Sequence, residues 1–197
     1  MAESIIDGAG TGYVARVDEE NRLRTLSTSE TISESAARDG DSYNVNTGTI
    51  NLTSANESGL LYIKNNGDKD VIILQVGYLV GNSTGGTGDL NAKVIFNPTG
   101  GTVISGAADV DVLINKNAGS SKTISVECYK GAEGNTITGG SDAYLSLLPG
   151  AGRSYVINTG SIHLPKGASL GIAVTPQASN TSTDIQIFLA IIEDTIN

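Results

Sequence analysis

The sequence predicts an all-β protein, a jelly-roll-like antiparallel β-sandwich with an extended N-terminal arm. Three observations lead to this prediction. Runs rich in Val, Ile and Leu recur along residues 41–197, and turns rich in Gly and Asn separate them. No convincing helical pattern lies between these runs, which is typical of antiparallel sandwiches and barrels. A ten-residue segment near the start of this region also returns near its end.

The clearest predicted strand lies within residues 58–80. One face of this strand carries Ile72, Leu74, Val76, Tyr78 and Val80, and the opposite face is also largely apolar. Such a pattern predicts a strand in the middle of a packed sheet. A second run, 60–64, precedes it across the segment Asn65-Asn66-Gly67-Asp68. Two β-rich runs around a turn of this composition predict a β-hairpin.

The other strands follow from the same alternation and from the turns between them. In chain order we predict strands at 49–53, 60–64, 71–80, 92–96, 110–114, 123–129, 144–148, 153–157, 161–164, 170–174 and 184–192. The last run places four large aliphatic side chains on one face, which indicates a second core strand near the C-terminus.

The repeated segment comprises residues 43–52, YNVNTGTINL, and residues 155–164, YVINTGSIHL. They align without gaps, and another apolar strand follows each copy. The long separation excludes a solenoid repeat. The repeat fits a jelly roll, in which the two copies would occupy comparable places in two Greek-key halves. The alternative explanation is chance similarity between two Asn-Thr-Gly turns.

Residues 1–40 differ from the rest, so we divide the chain into an arm, 1–40, and a β-sandwich domain, 41–197. Four of the five arginines lie in the arm, among many carboxylates. We expect a small hairpin of 13–17 with 22–26, and a helix over 29–38 that Ser29 caps and Gly40 ends. The arm either lies on its own body or contacts a neighbour, since arginine favours interfaces. Alternatively, these arginines pair with carboxylates of the arm itself on a solvated hairpin and contact no partner. The candidate contacts to a partner are Tyr13, Arg16, Arg22, Leu23 and Arg24.

Charge and composition narrow the function classes. The net charge of −9 argues against binding to nucleic acid or to an anionic membrane surface. The single cysteine, Cys128, gives no support to a disulfide framework. We recognise no signal peptide, and the longest apolar run is too short for a membrane helix. We therefore expect a soluble protein that is made in a cytoplasm.

No catalytic constellation emerges from the sequence, and we predict no enzyme activity, cofactor or metal site. The only histidine, His163, alternates with Ile162 and Leu164 and should point away from the core. The pairs Asp68/Asp70 and Asp109/Asp111 favour solvated charge over calcium binding. Spacing alone leaves open a glycoside hydrolase that uses paired carboxylates. Neither the glycines at 8–12 nor those at 85–88 stand in the context of a nucleotide-binding loop.

Three segments carry a family resemblance: residues 12–24, GYVARVDEENRLR, residues 40–53, GDSYNVNTGTINLT, and residues 60–66, LLYIKNN. In them the chain resembles small virion proteins of tailed bacteriophages, and within that class the head decoration, or cement, proteins. The resemblance implies a jelly-roll-like body, often a homotrimer, that sits on the lattice of the major capsid protein. The arm would reach between capsomers to stabilise the head, and the protein, made in the host cytoplasm, would end on the capsid surface. The alternative is a tail-fibre or host-recognition module of a virion.

Overall fold

In the computed structural model, the described residues are 5–6, 14–15, 31–86, 88–106, 108–109, 112–148, 150 and 152–194. They contain two helices, α1 (Ile32–Asp39) and α2 (Thr102–Gly106). The strands are β1 (Ile5–Ile6), β2 (Val14–Ala15), β3 (Ser42–Asn46), β4 (Ile50–Leu52), β5 (Ser58–Asn65), β6 (Val71–Gly85), β7 (Leu90–Phe96), β8 (Ala108–Asp109), β9 (Val112–Asn115), β10 (Val126–Lys130), β11 (Ser141–Leu148), β12 (Arg153–Leu164), β13 (Ser169–Pro176) and β14 (Asn180–Glu193).

The chain divides into two compact units, residues 1–31 and residues 32–197. The described part of the first unit is the antiparallel pair of β1 with β2. The second unit holds two antiparallel sheets. Sheet 1 has the order β12-β6-β14-β3-β9, with β4 also paired to β14, and sheet 2 has the order β11-β7-β13-β5-β10-β8. The prediction of an all-β antiparallel sandwich is confirmed.

One large hydrophobic core lies between the two sheets. Alternate residues of each strand enter it because successive side chains of a strand point to opposite faces. In sheet 1 the inward residues of the central strands β6 and β14 include Val76, Tyr78, Ile187 and Leu189, all fully buried. The run 71–80 is thus the middle strand that its pattern predicts, flanked by β12 and β14.

A second, smaller core covers the outer face of sheet 2. Helix α2 supplies Val103, and the segment after β10 supplies Ile137. These two side chains pack on Tyr62 of β5, Ile95 of β7 and Ala173 of β13. The segment between β7 and β11 therefore covers the middle strands of this outer face and leaves its β11 edge exposed. Nothing in the alternation of the strands predicts this second core.

The predicted hairpin at residues 65–68 is wrong. Strands β5 and β6 belong to different sheets, so the turn is a corner between the layers. Asn65 fixes this corner, because its buried side chain donates to the carbonyls of Lys69 and Leu164 at 2.8 Å and accepts from Gly67 N at 2.8 Å. Hairpin and corner share the same turn residues. They differ in where the flanking strands bury their side chains, and β5 is buried on both faces.

The repeated segments 43–52 and 155–164 lie in the same sheet. The first forms β3 and β4 on one side of β14, and the second forms β12 on the far side of β6. Each is followed by a strand of sheet 2, β5 or β13, and those two strands pair with each other. An approximate twofold relation thus exchanges β3–β4, β5 and β6 with β12, β13 and β14. The finer prediction of a jelly roll stays a prediction, which this strand order favours.

Most predicted strands are present, with longer or shifted ends. Strand β3 was not predicted, because its alternating Asn residues hide the buried Tyr43 and Val45. The separate strands predicted at 153–157 and 161–164 are one strand, β12, with a register shift between Asn158 and Ile162. A bulge of this kind keeps both halves paired to β6.

The helix predicted over 29–38 is observed as α1, Ile32–Asp39, and its predicted cap, Ser29, lies outside the described residues. Gly40, with φ of 81°, ends it as predicted. Gly40 N donates to Ala37 O at 3.3 Å, and Asp41 N donates to Ala36 O at 2.7 Å. This is a Schellman termination, which needs a left-handed residue at that position. The helix belongs to the second unit and packs against β3 and β14.

Candidate interaction surfaces

The predicted contacts of the arm, Tyr13, Arg16, Arg22, Leu23 and Arg24, lie outside the described residues. So do residues 22–26, the second half of the hairpin predicted there. Of its first half, Val14 and Ala15 are described, and they pair with Ile6 and Ile5. The involvement of the arm in binding stays a prediction.

Large exposed apolar side chains identify two surfaces on the second unit. Leu79 and Val156 are 39% and 51% exposed on the outer face of sheet 1. Leu145 and Leu147 are 76% and 60% exposed on the outer face of sheet 2, at its β11 edge. The outer faces of a sandwich look in opposite directions, so the two surfaces are separate.

The surface on sheet 1 consists of two neighbouring cross-strand rows, which we call the sheet-1 patch. One row holds Ser154, Leu79 and Gln186, and the next holds Val156, Gly77, Phe188 and Asn46. The residues of both rows alternate along their strands with core residues and therefore point outward.

The ring of Phe188 fills the space above Gly77. A Cβ atom built at residue 77 would overlap the ring carbons of Phe188. Glycine at this position therefore allows an aromatic ring of β14 to lie across β6. Phe188 is half-buried in this position. Because its ring lies flat over Gly77, the centre of the patch is apolar and has no protruding side chain.

The sheet-1 patch carries no charge. Neither of its two rows contains Asp, Glu, Lys, Arg or His. The row that follows on the Phe188 side, Asn158, Gln75, Ala190, Asn44 and Ile114, is also uncharged. Three successive rows without charge are notable in a chain with 33 charged side chains and a net charge of −9, counted with His neutral.

Polar side chains at the margin of the patch are hydrogen-bonded to one another. Asn51 Nδ2 donates to Asp184 Oδ1 at 2.7 Å and to Ser182 Oγ at 2.8 Å. Gln186 Nε2 donates to Thr49 Oγ1 at 2.7 Å. A hollow of about 530 Å³ lies here, between Leu79, Arg153 and Asp184 among others. These bonds hold the margin in place without a partner protein.

The surface on sheet 2 mixes apolar and charged side chains. Leu145 and Leu147 of β11 stand beside Lys93 and Asn91 of β7, their cross-strand neighbours. Lys93 Nζ pairs with Glu57 Oε2 at 2.8 Å. A hollow of about 320 Å³ opens between these side chains. We call these five residues the β11 surface; β11 is the edge strand of sheet 2 among the described residues.

Three of the titratable groups that we weighed as chemical candidates lie on separate elements, and Asp111 lies outside the described residues. His163 is exposed on β12, as its alternation predicts, and Cys128 is half-buried on β10. Asp68 is exposed and pairs with Lys166, which holds the pKa of its carboxyl below the usual value. Within the described part of the chain, no three His, Cys, Asp or Glu side chains lie close enough together to hold a metal ion.

One carboxylate is tightly bound by the protein itself. Glu133 Oε1 accepts from Thr53 N at 2.6 Å and from Ser54 N at 2.5 Å, and Oε2 accepts from Thr53 Oγ1 at 2.8 Å. The bond from the Thr53 hydroxyl, helped by the two backbone amides, lowers the pKa of Glu133. The role of Glu133 is structural: it ties the loop after β4 to the segment that covers sheet 2.

The comparisons with known proteins identify no relative: no protein-family profile matches the chain, and no curated protein is significantly similar to it. In the described residues, no helix has the length and apolar character that a membrane span needs. The sheet-1 patch and the β11 surface were both missed by the sequence reasoning. The sequence signal that could have identified the sheet-1 patch was Phe188. It is a large apolar residue on the outward face of a strand whose other face is strongly apolar.

Proposed function

We propose that this protein is a decoration protein of a tailed-bacteriophage head, which binds the lattice of the major capsid protein and stabilises the shell. One structural observation supports the proposal together with the sequence resemblance. The sandwich has two uncovered apolar surfaces that look in opposite directions, the sheet-1 patch and the β11 surface. A protein with two such surfaces can bind two partners at once, as a component of a lattice must.

The two surfaces differ in the kind of partner that they fit. The β11 surface combines two leucines with the Lys93–Glu57 ion pair, a mixture of apolar and charged groups that is typical of non-obligate interfaces. The sheet-1 patch lacks charge, which is typical of the contacts between subunits of a homo-oligomer. We assign the β11 surface to the shell protein, and we expect a homotrimer, as the resemblance implies.

Such a protein would stabilise a shell by the number of its contacts. Each copy would bury an interface of modest size, but a linked trimer engages several shell subunits at once. The second and third contacts then form at a high effective concentration, so weak single contacts give tight overall binding. The arm would add to this binding if it orders on docking, with the arginines named above pairing with shell carboxylates.

The test uses shells assembled from the major capsid protein that the same genome encodes. The protein is mixed with these shells, and the bound fraction is measured by co-sedimentation. We expect saturable binding, and we expect Leu145→Asp with Leu147→Asp to weaken it by at least about tenfold, because charge would replace buried apolar contact. The matched control is Ala118→Asp, which adds a charge at an exposed residue of the turn between β9 and β10, outside the arm and the β11 surface, and should bind as the wild type does.

Two results would overturn the proposal. One is wild-type protein that stays in the supernatant at every shell concentration. The other is antibody labelling of intact virions that marks the tail in electron micrographs, which would favour the tail-fibre or host-recognition module instead.

A further inference from the structure

We propose that the sheet-1 patch is the surface through which copies of this chain bind one another. The inference deepens the proposed function and rests on it for the expected number of copies, three. Three structural features identify the surface itself. The outer face of sheet 1 is uncovered, the patch carries no charge, and packing and hydrogen bonds hold its side chains in place.

The fold treats the outer faces of its two sheets unequally. The middle strands of sheet 2 are covered by Val103 and Ile137, which bury Tyr62, Ile95 and Ala173 beneath them, so the exposed leucines of that face lie only at its β11 edge. On sheet 1, in contrast, Val156 and Leu79 remain 51% and 39% exposed. Exposed apolar groups on a rigid sheet face favour contact with another protein.

The absence of charge on the patch points to a second copy as its occupant. Every copy carries a net charge of −9, so two copies repel each other wherever acidic surfaces meet. A contact between identical chains also brings like residues near each other when the symmetry axis passes close by. Three uncharged cross-strand rows avoid both problems. A basic partner would instead bind to an acidic surface, and the net charge of −9 provides such surfaces elsewhere on the chain.

The patch is built to keep its shape before binding. Phe188 is held over Gly77, and the strands beneath it, β6 and β14, are the two central strands of sheet 1. The polar side chains at its margin are hydrogen-bonded, Gln186 to Thr49 and Asn51 to Asp184. A surface that is ordered in advance loses less entropy on association, which favours a stable oligomer.

The experiment measures the mass of the full chain in solution by size-exclusion chromatography with light scattering. We expect the wild type at three times the chain mass of 20.2 kDa. Leu79→Asp and Val156→Asp, made separately, should each weaken self-association about 100-fold and shift the mass toward one chain, because copies would then bring like charges together. Both positions are exposed, so circular dichroism and the melting profile should show that the variants still fold.

The matched control is Leu145→Asp, which adds the same charge on the β11 surface and should leave the mass unchanged. A wild type with the mass of a single chain at the highest concentration tested would overturn the inference. So would folded Leu79→Asp and Val156→Asp variants that both keep the wild-type mass. Shell binding is measured separately by co-sedimentation, so an oligomer that binds no shell would defeat the proposed function and leave this inference standing.

Discussion

The ring of Phe188 lies directly over Gly77, its cross-strand neighbour, on the outer face of sheet 1. The two residues belong to the central strands of that sheet, and no Cβ atom fits between them. Gly77 is not in the left-handed region of φ, so the need for glycine here comes from space and not from backbone conformation.

Gly77→Ala should therefore lower stability and disturb the sheet-1 patch. The new methyl group must push the Phe188 ring aside, and overpacking of this kind costs about 1–3 kcal/mol in the free energy of unfolding. Urea denaturation measures this cost. Light scattering should show weaker self-association of the same variant.

A double-mutant cycle checks the cause. In Phe188→Ala the ring is gone, so adding Gly77→Ala should then cost much less than it does alone, with a coupling energy of about 1 kcal/mol or more. Additive effects of the two substitutions would contradict the contact as we describe it.

Asn65→Ala should destabilise the protein strongly. The side chain of Asn65 is fully buried, donates to two carbonyls and accepts from Gly67 N. Its removal leaves three buried or half-buried polar groups without this partner, and we expect a loss of about 3 kcal/mol in urea denaturation. The neighbour Asn66 is the matched control: it is exposed, so Asn66→Ala should stay within about 0.5 kcal/mol of the wild type. Equal effects of the two substitutions would mean that the corner does not depend on Asn65.

Asn65 also shows how far the sequence reasoning reaches. The two strands beside it were predicted because their alternation is strong, and both are present. The hairpin was wrong because local turn residues do not specify whether two strands pair or separate into different layers. That choice depends on tertiary burial, here on the packing of Val103 and Ile137 over sheet 2.

The repeat 43–52/155–164 carried more information than any single strand pattern. It related two segments that the fold places at corresponding positions in sheet 1. The same separation of 112 residues also relates Val71 to Thr183 and Ile73 to Ile185. Each of these residues pairs with the corresponding copy of the repeat: Val71 with Leu164, Thr183 with Leu52, Ile73 with Ile162, and Ile185 with Ile50. The sheet-1 patch could not be predicted in this way, because whether an outward Phe or Val is covered depends on contacts from distant loops.

Glu133→Gln should destabilise the protein at neutral pH and not at acid pH. The folded-state pKa of Glu133 is lowered from its ordinary value of 4.5, chiefly by the Thr53 hydroxyl. A carboxyl with a lowered folded pKa adds stability above its unfolded pKa, and this contribution is lost as the pH falls through the folded pKa. We expect Glu133→Gln to cost about 1 kcal/mol at pH 7, and the difference from the wild type to shrink once the pH drops below 4.5.

Chemical denaturation across this pH range measures the difference. Asp68→Asn is the matched control: the pKa of Asp68 is also lowered, by Lys166, but the pair is exposed and should contribute little to stability. A gap between wild type and Glu133→Gln that stays constant with pH would show that the charge of Glu133 is not what the loop binds.

Tyr78→Phe should stabilise the protein. Tyr78 is fully buried in the main core, and its hydroxyl has no hydrogen-bond partner among the described residues. Burial also raises the pKa of this hydroxyl, so it stays protonated. Removing a buried, unpaired hydroxyl should raise the free energy of unfolding by about 1 kcal/mol, or the melting temperature by about 2–4 °C for a chain of this size. Tyr129→Phe is the control with the opposite sign, because the hydroxyl of Tyr129 donates to Glu127 Oε1 and its loss should lower the melting temperature. A lower melting temperature for Tyr78→Phe would mean that this hydroxyl is hydrogen-bonded in solution.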